Sequence, residues 1–316
     1  MAVDQNLTFE QGLGLTETLP TNEIIIVGLG EVAMTHLEAL SCLGQTVILG
    51  VDIDPSKELV FEGQQLPMYT RLEDAAQKHP EPDIIIVSVP TPNHYKVCEQ
   101  VFSSFDRRPV RVLVEKPCAD NLEDVMDLYD NHPDNIRLET LLHYAYSPEI
   151  LWAYEHLPDW LSQHGPIKDF VATFTDPRGT PDQVNRRAAL GSSWVDLGIN
   201  ALSAVSRLVD LTRLELHNVE APYDYEATVS FTSGLTEGCG TVATKWNVAS
   251  STHDSSFTFS SGAQLILNNY LVRGSFKDSD GVVKLSFTGN GTSRRLSHYI
   301  NLYRDLLGAG YMAIDN

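Results

Sequence analysis

The chain has 316 residues, enough for one large domain or two ordinary ones, and its 42% hydrophobic and 20% charged residues exclude a disordered or collagen-like protein. With 42 acidic against 22 basic residues the formal net charge is −20, so the basic footprint that nucleic acid or an anionic membrane requires is absent and small-molecule partners are expected. No stretch offers the roughly 20 apolar residues that span a bilayer, and with its first lysine or arginine at Lys57 no secretory leader is expected.

Residues 1–21 are mostly polar and read as a flexible tail. The run Ile24-Ile25-Ile26-Val27 ends at Gly28 and predicts a strand buried on both faces, followed by a helix over Glu31–Leu43. Thr46–Val51, Asp83–Val89, Val110–Val114 and Ile136–Leu142 predict further strands. Helical stretches near Leu72–Lys78, Asn93–Phe105 and Leu122–Asn131 separate them, so the first half is a run of right-handed βαβ units with a parallel, doubly wound sheet. The pattern then changes. A helix near Glu149–Ser162 leads to a strand at Lys168–Thr175, a loop with Pro177, Gly179 and Pro181, and a helix near Ser193–Leu208. Tyr225, Ala227, Val229 and Phe231 alternate with polar residues, as do Val283, Leu285 and Phe287, which predicts an open, mostly antiparallel sheet with one face covered. The division expected is a Rossmann domain over 22–143 and an α/β domain for substrate and oligomerisation over 144–316.

Gly28-Leu29-Gly30-Glu31-Val32-Ala33 fits G-x-G-x-x-G/A between a strand and a helix, the context that makes this pattern a dinucleotide fingerprint. Gly28 permits the turn, Gly30 lets the backbone approach a pyrophosphate, and the helix N-terminus faces the anion. Asp52 closes the second strand, 22 positions after Gly30, where a carboxylate accepts from ribose hydroxyls. Asp54 lies beside it and the nearest downstream cation is Lys57, so NAD is favoured, with NADP possible. Val89, Pro90, Thr91, Asn93 and His94 follow the third long strand, at the edge where ligands bind in such sheets. Glu115-Lys116-Pro117 follows the fourth, and a lysine there can donate to a substrate oxygen or act as an acid–base group. No metal site is expected, since no H-x-x-x-H or H-E-x-x-H occurs, and no G-x-S-x-G elbow suggests a serine hydrolase. Cys42, Cys98, Cys118 and Cys239 form no C-x-x-C pair and read as reduced thiols of a cytoplasmic protein, which makes the sequons at Asn6 and Asn290 chance matches.

These motifs, in this order and joined by Asp196-Leu197-Gly198-Ile199-Asn200, resemble the glucose–fructose oxidoreductase and inositol dehydrogenase family (Gfo/Idh/MocA) over about residues 22–310. The resemblance implies hydride transfer between a nicotinamide cofactor and a sugar or related polyol. The second-domain motif departs from the common D-x-G-x-H: Asn200 stands where histidine or tyrosine is usual, and an amide takes no proton. The segment Asp196 to Ser203 is similar instead to the D-P-G-I-N-A-L-S of aldose 1-dehydrogenases acting on L-arabinose and D-galactose. That branch implies Lys116, Asp196 and Asn200 as the catalytic trio, with His143 and Trp246 at the substrate. Either Asp196 or Lys116 would take the C1 hydroxyl proton, Asn200 would hold that oxygen, and the product would be an aldonolactone. The loop Asp176–Arg187 lacks the tryptophans of the arabinose enzyme, which leaves the sugar open, and the chain ends about one helix before the usual family ending. A homo-oligomer through the open sheet face is expected. A reductase of another sugar, polyol or imine, or an inactive dinucleotide-binding sensor, are the alternatives.

Overall fold

The computed structural model describes residues 19–178, 191–233 and 239–308. Residues 1–18, the loop positions Gly179 and Pro181, and the last eight residues lie outside them. Six strands form the first sheet: β1 (Glu23–Val27), β2 (Thr46–Val51), β5 (Met68–Tyr69), β6 (Ile84–Val87), β7 (Val110–Glu115) and β8 (Ile136–Leu141). A small hairpin, β3 (Val60–Phe61) and β4 (Gln64–Gln65), sits between β2 and β5. The sheet is parallel throughout, in the order β5-β2-β1-β6-β7-β8. Its central strands are apolar at successive positions because helices cover both faces. Helix α1 (Glu31–Cys42) lies on one face; α2 (Leu72–Lys78), α3 (His94–Ser104) and α4 (Leu122–Asp130) lie on the other. The order reverses between β1 and β6, so the crevice opens at their carboxyl ends, beside Gly28 and Ser88.

Residues 19–21, expected as part of the tail, are held against the first domain. Leu19 packs against the first core, and the Gln45 side chain donates to the Pro20 carbonyl (3.0 Å) and accepts from the Asn22 amide (3.2 Å).

Helix α5 (Pro148–His164) leads into the second sheet, built from β9 (Ile167–Thr175), β10 (Leu214–Tyr223), β11 (Glu226–Ser233), β12 (Cys239–Lys245), β13 (Thr252–Phe259), β14 (Gln264–Asn268), β15 (Arg273–Lys277) and β16 (Val283–Thr288). Its order is β10-β11-β12-β9-β13-β14-β15-β16, antiparallel except for the β9–β12 pair. Phe170, Phe174, Phe257 and Leu265 point from one face into a core shared with α5 and α6 (Ile199–Ser206), while Val171 stands exposed on the other. A last helix, α7 (Arg294–Leu307), returns to the first sheet. Leu302, Tyr303 and Leu306 enter its core beside Ala33, Leu37 and Leu40 of α1, and Arg111 Nη1 of β7 donates to the Leu306 carbonyl at 2.6 Å. Ser293 caps it, accepting from the Leu296 amide.

Glu149, in the first turn of α5, is fully buried; Ser147 Oγ and Asn269 Nδ2 (2.8 Å) donate to its carboxyl. Burial raises its pKa to about 7, outweighing those donors. The folded protein therefore holds this proton more tightly than the unfolded chain does. The resulting stabilisation is complete at low pH and is lost as pH rises through about 7, by at most about 3 kcal/mol. Glu149→Gln is expected to gain melting temperature over the parent, and the gain should grow from pH 5 to pH 8. Thermal unfolding across that range checks it; a pH-independent difference would show that Glu149 does not titrate there.

Candidate active site

A cavity of about 920 Å³ runs along the carboxyl edge of the first sheet to the covered side of the second. At one end is the phosphate loop. Gly28 has φ +88°, and a Cβ there would lie 2.7 Å from the Val89 nitrogen, so β1 and β6 approach this closely only with glycine. Gly30 precedes the first residue of α1 without a side-chain cap, and no atom lies within 4 Å of where its Cβ would stand. Uncapped helix N–H groups and open space at the loop fit a pyrophosphate. Gly30 is in an extended conformation that alanine adopts freely. Gly30→Ala is thus expected to leave the melting temperature of the free protein unchanged while weakening NADH binding at least tenfold, as fluorescence titration would read; undiminished binding would place the pyrophosphate elsewhere.

Asp52 sits beside this loop. Its Oδ2 accepts from the Leu29 amide (2.7 Å) and its Oδ1 from the Asp54 amide (2.9 Å), which fixes the carboxylate and leaves further lone pairs for a ribose diol. The β5–α2 turn also brings Arg71 to the cavity, a residue that distance along the chain hid; its guanidinium lies 3.4 Å from Glu73. Leu29, Glu31, Val32, Val89, Pro90, Thr91 and Asn93 all line the cavity. His94 and Glu115 line it too, but their polar atoms face inward. His94 places Nδ1 2.7 Å from the Pro117 carbonyl and Nε2 2.7 Å from that of Val89, so it clamps the two edge loops together instead of presenting a nitrogen to a ligand.

Lys116 and Asp196 meet across the cleft. Residues Trp194–Gly198 form one π-helical turn before α6, where a straight α-helix was expected, and the wider turn carries Asp196 into the cavity. Gly198 allows it: a Cβ there would stand 2.7 Å from the Trp194 ring. Lys116 Nζ donates to the Asp196 carbonyl (3.1 Å) and lies 3.6 Å from its Oδ1. Asn200 Nδ2 donates to the same carbonyl at 3.0 Å, so one of its amide hydrogens is committed to the turn. Arg178 Nε is 3.0 Å from Asp196 Oδ2 but not aligned to donate to it; among the described residues that buried oxygen accepts no hydrogen bond.

Helix α7 closes the opposite wall, and sequence reading missed it. Tyr299 Oη donates to Glu115, whose carboxylate also lies 3.3 Å from His36 Nε2 of α1, and Tyr303 Oη is 2.6 Å from His36 Nδ1. Burial pushes Glu115 upward, yet His36 and Tyr299 hold it well below the ordinary carboxylate range. Glu115 therefore ties the residue before Lys116 to α1 and α7. His143 stacks on Tyr299 (4.9 Å between ring centres, 15° between planes), and burial, reinforced by nearby cations, lowers its pKa to about 3. It stays neutral on the cavity wall. Trp246 does not reach that wall. It is fully buried in the second core, because it follows β12 on the face that packs against the helices. Apolar spacing at Leu296, Ile300, Tyr303 and Leu307 after a serine cap was the signal that marked α7.

A doubly wound sheet with a glycine loop at its switch point, facing a lysine–aspartate pair across a second domain, defines a dinucleotide-dependent oxidoreductase. Residues 23–135 match the Gfo/Idh/MocA family, described as an oxidoreductase family with an NAD-binding Rossmann fold. No curated protein sequence matches the chain. Among solved structures it is similar to an inositol dehydrogenase homologue from Azotobacter vinelandii complexed with NAD+ (TM-score 0.72, 16% identity, 90% of this chain and 85% of that one). It is also similar to an oxidoreductase from Pseudomonas syringae (0.72, 16%, 90% and 86%) and to GenD2 from gentamicin A biosynthesis in complex with NAD (0.71, 15%, 95% and 90%). At these identities the likeness is one of fold.

Proposed function

We propose that the protein oxidises C1 of a cyclic aldose with NAD, giving an aldonolactone. The observation that carries this reading is the meeting of Lys116 and Asp196, from different domains, beside the dinucleotide cleft. The D-x-G-x-N motif, shared with aldose 1-dehydrogenases, supports the substrate class. When bound, the nicotinamide supplies the hydride acceptor. The residues of this chain do the rest. Asp196 Oδ2, free to accept, takes the C1 hydroxyl proton. Lys116 Nζ donates to the same oxygen and stabilises the charge that develops on it. Asn200 holds the Asp196 main chain and so keeps carboxylate and ammonium in register, leaving its second N–H for the sugar. Neutral His143 contributes a hydrogen-bonding edge without competing for the proton.

Asp52 favours the free ribose of NAD, since its charge repels a 2′-phosphate. A second copy of the chain covers the open sheet face, and a reducing cytoplasm suits the four free thiols. No helix among the described residues is long and apolar enough to cross a membrane. The test is a panel of aldoses and polyols with NAD and NADP, read as reduced-nicotinamide absorbance with the product trapped as lactone. Oxidation of a secondary ring hydroxyl with C1 untouched, or tighter binding of NADPH than of NADH, would overturn the reading.

A further inference from the structure

The cavity is charged differently from the rest of the molecule. Seven basic and six acidic residues line it, in a chain that has 22 and 42. Most of these cations are neutralised where they stand. Arg178 lies between Asp176 and Asp196, Lys116 is beside Asp196, and Arg295 is 3.2 Å from Glu31 on α1. Arg294 is not. Its Nη1 is 2.8 Å from His253 Nδ1, and its guanidinium sits over the rings of Tyr270 (4.8 Å) and Tyr144 (5.8 Å); it makes no ion pair among the described residues.

The geometry around His253 keeps that charge intact. An arginine only donates, so Nδ1 accepts and the ring proton resides on Nε2, which faces Asp176 Oδ1 at 3.3 Å. The ring is 2% exposed, stacked on Phe174 at 4.7 Å and 7°, and its pKa is lowered, by burial first. Glu149, a carboxyl whose charge Arg294 influences, is buried and largely protonated below pH 7. A rigid neutral imidazole and two tyrosine rings thus hold a full positive charge in the cavity. They hold it on the side of the second sheet: His253 belongs to β13 and Tyr270 follows β14. The neighbouring Arg295 turns the other way, to the phosphate-loop helix.

We infer that Arg294, seated on His253, Tyr270 and Tyr144, is a carboxylate-recognition site, and that the sugar oxidised here is acidic: a cyclic hexuronic acid with a free C1 hydroxyl. This rests on the proposed C1 oxidation. A planar guanidinium with one N–H held by His253 keeps donors for a carboxylate, and at the second-sheet end of the cavity, away from Lys57 and Lys96, the one cation without an ion pair among the described residues matches one negative charge, where a sugar phosphate brings nearly two. The step is unchanged: the C1 hydride goes to the nicotinamide, the hydroxyl proton to Asp196, and the product is an aldaric acid lactone.

The experiment measures binding and turnover separately. Calorimetry on the protein–NADH complex compares D-glucuronate with D-glucose, D-galacturonate with D-galactose, and D-glucose 6-phosphate with both; turnover of the same sugars is followed with NAD. A uronate is expected to bind roughly 10- to 100-fold more tightly than its neutral partner, the scale of a hydrogen bond to a charged group. Arg294→Met should erase that preference and Arg294→Lys should restore part of it, which a merely structural arginine would not show. Equal binding of uronates and neutral sugars, or binding of glucose 6-phosphate as tight as that of glucuronate, would overturn the carboxylate site while leaving C1 oxidation standing. Tight uronate binding, lost in the methionine variant but without lactone formation, would support the site and sink the C1 reaction. Binding by neither class would end both.

Discussion

Lys116→Met is expected to lower aldose turnover by roughly 10²–10⁴-fold, the usual worth of a positioned proton donor or acceptor. Methionine keeps the length and apolar stem of lysine, so the edge loop after β7 should hold its shape under the clamp of His94 on the Pro117 and Val89 carbonyls. Glu115 remains anchored by His36 and Tyr299. Removing the ammonium from a buried ion pair is severe when the partner is left alone. Here Arg178 stays 3.0 Å from Asp196, so the folding penalty is smaller than the catalytic one. The expected result is a folded protein that titrates with NADH like the parent and scarcely turns over. Lys116→Arg should remain poor, because a guanidinium keeps the charge but has a different shape and hydration at the reacting oxygen. A methionine variant retaining a tenth or more of parent turnover would remove Lys116 from the chemistry.

Where chemistry is written into local sequence, the site was readable. Gly28, Gly30 and Asp52 are legible because a tight βα turn and a strand-end acid have few solutions, and the fold brings all three to one end of the cavity. Glu115-Lys116-Pro117 and Asp196 to Asn200 are equally local and also reach the cavity. What the sequence hid is made by distance. Tyr299 meets Glu115 across 184 positions, and Arg294 meets His253 across 41. No periodicity records such pairings. The π turn was also invisible, since Asp196 and Asn200 at i, i+4 suit an α-helix equally well, and the widening follows from Gly198 meeting Trp194 in the folded chain. Strand β10 was missed for a different reason: its residues are exposed on both faces apart from Leu214 at the start, so it lacks the alternation that betrays a half-buried strand. Trp246 shows the converse error. A large aromatic after a strand suits a substrate wall or a core, and only the strand's facing decides, here for the core.

Asp196→Asn separates the carboxylate from everything else that residue does. The main-chain carbonyl that receives Lys116 Nζ and Asn200 Nδ2 is untouched by the change, so the π turn and the approach of lysine should persist. What is lost is the anion 3.6 Å from the ammonium and the buried Oδ2 that accepts no hydrogen bond within the described residues. If that oxygen takes the C1 proton, the interaction matters most as the C–H bond breaks and little when the sugar binds. The loss should then fall on kcat, by roughly 10²–10⁴-fold, with KM for the sugar and the affinity for NADH near the parent values. Asn200→Ala gives the contrast: it removes a brace without removing the acceptor, so its milder loss should be shared between kcat and KM. An Asp196→Asn protein with near-parent kcat and raised KM would make the carboxylate a binding group, and the proton would then have to leave through Lys116.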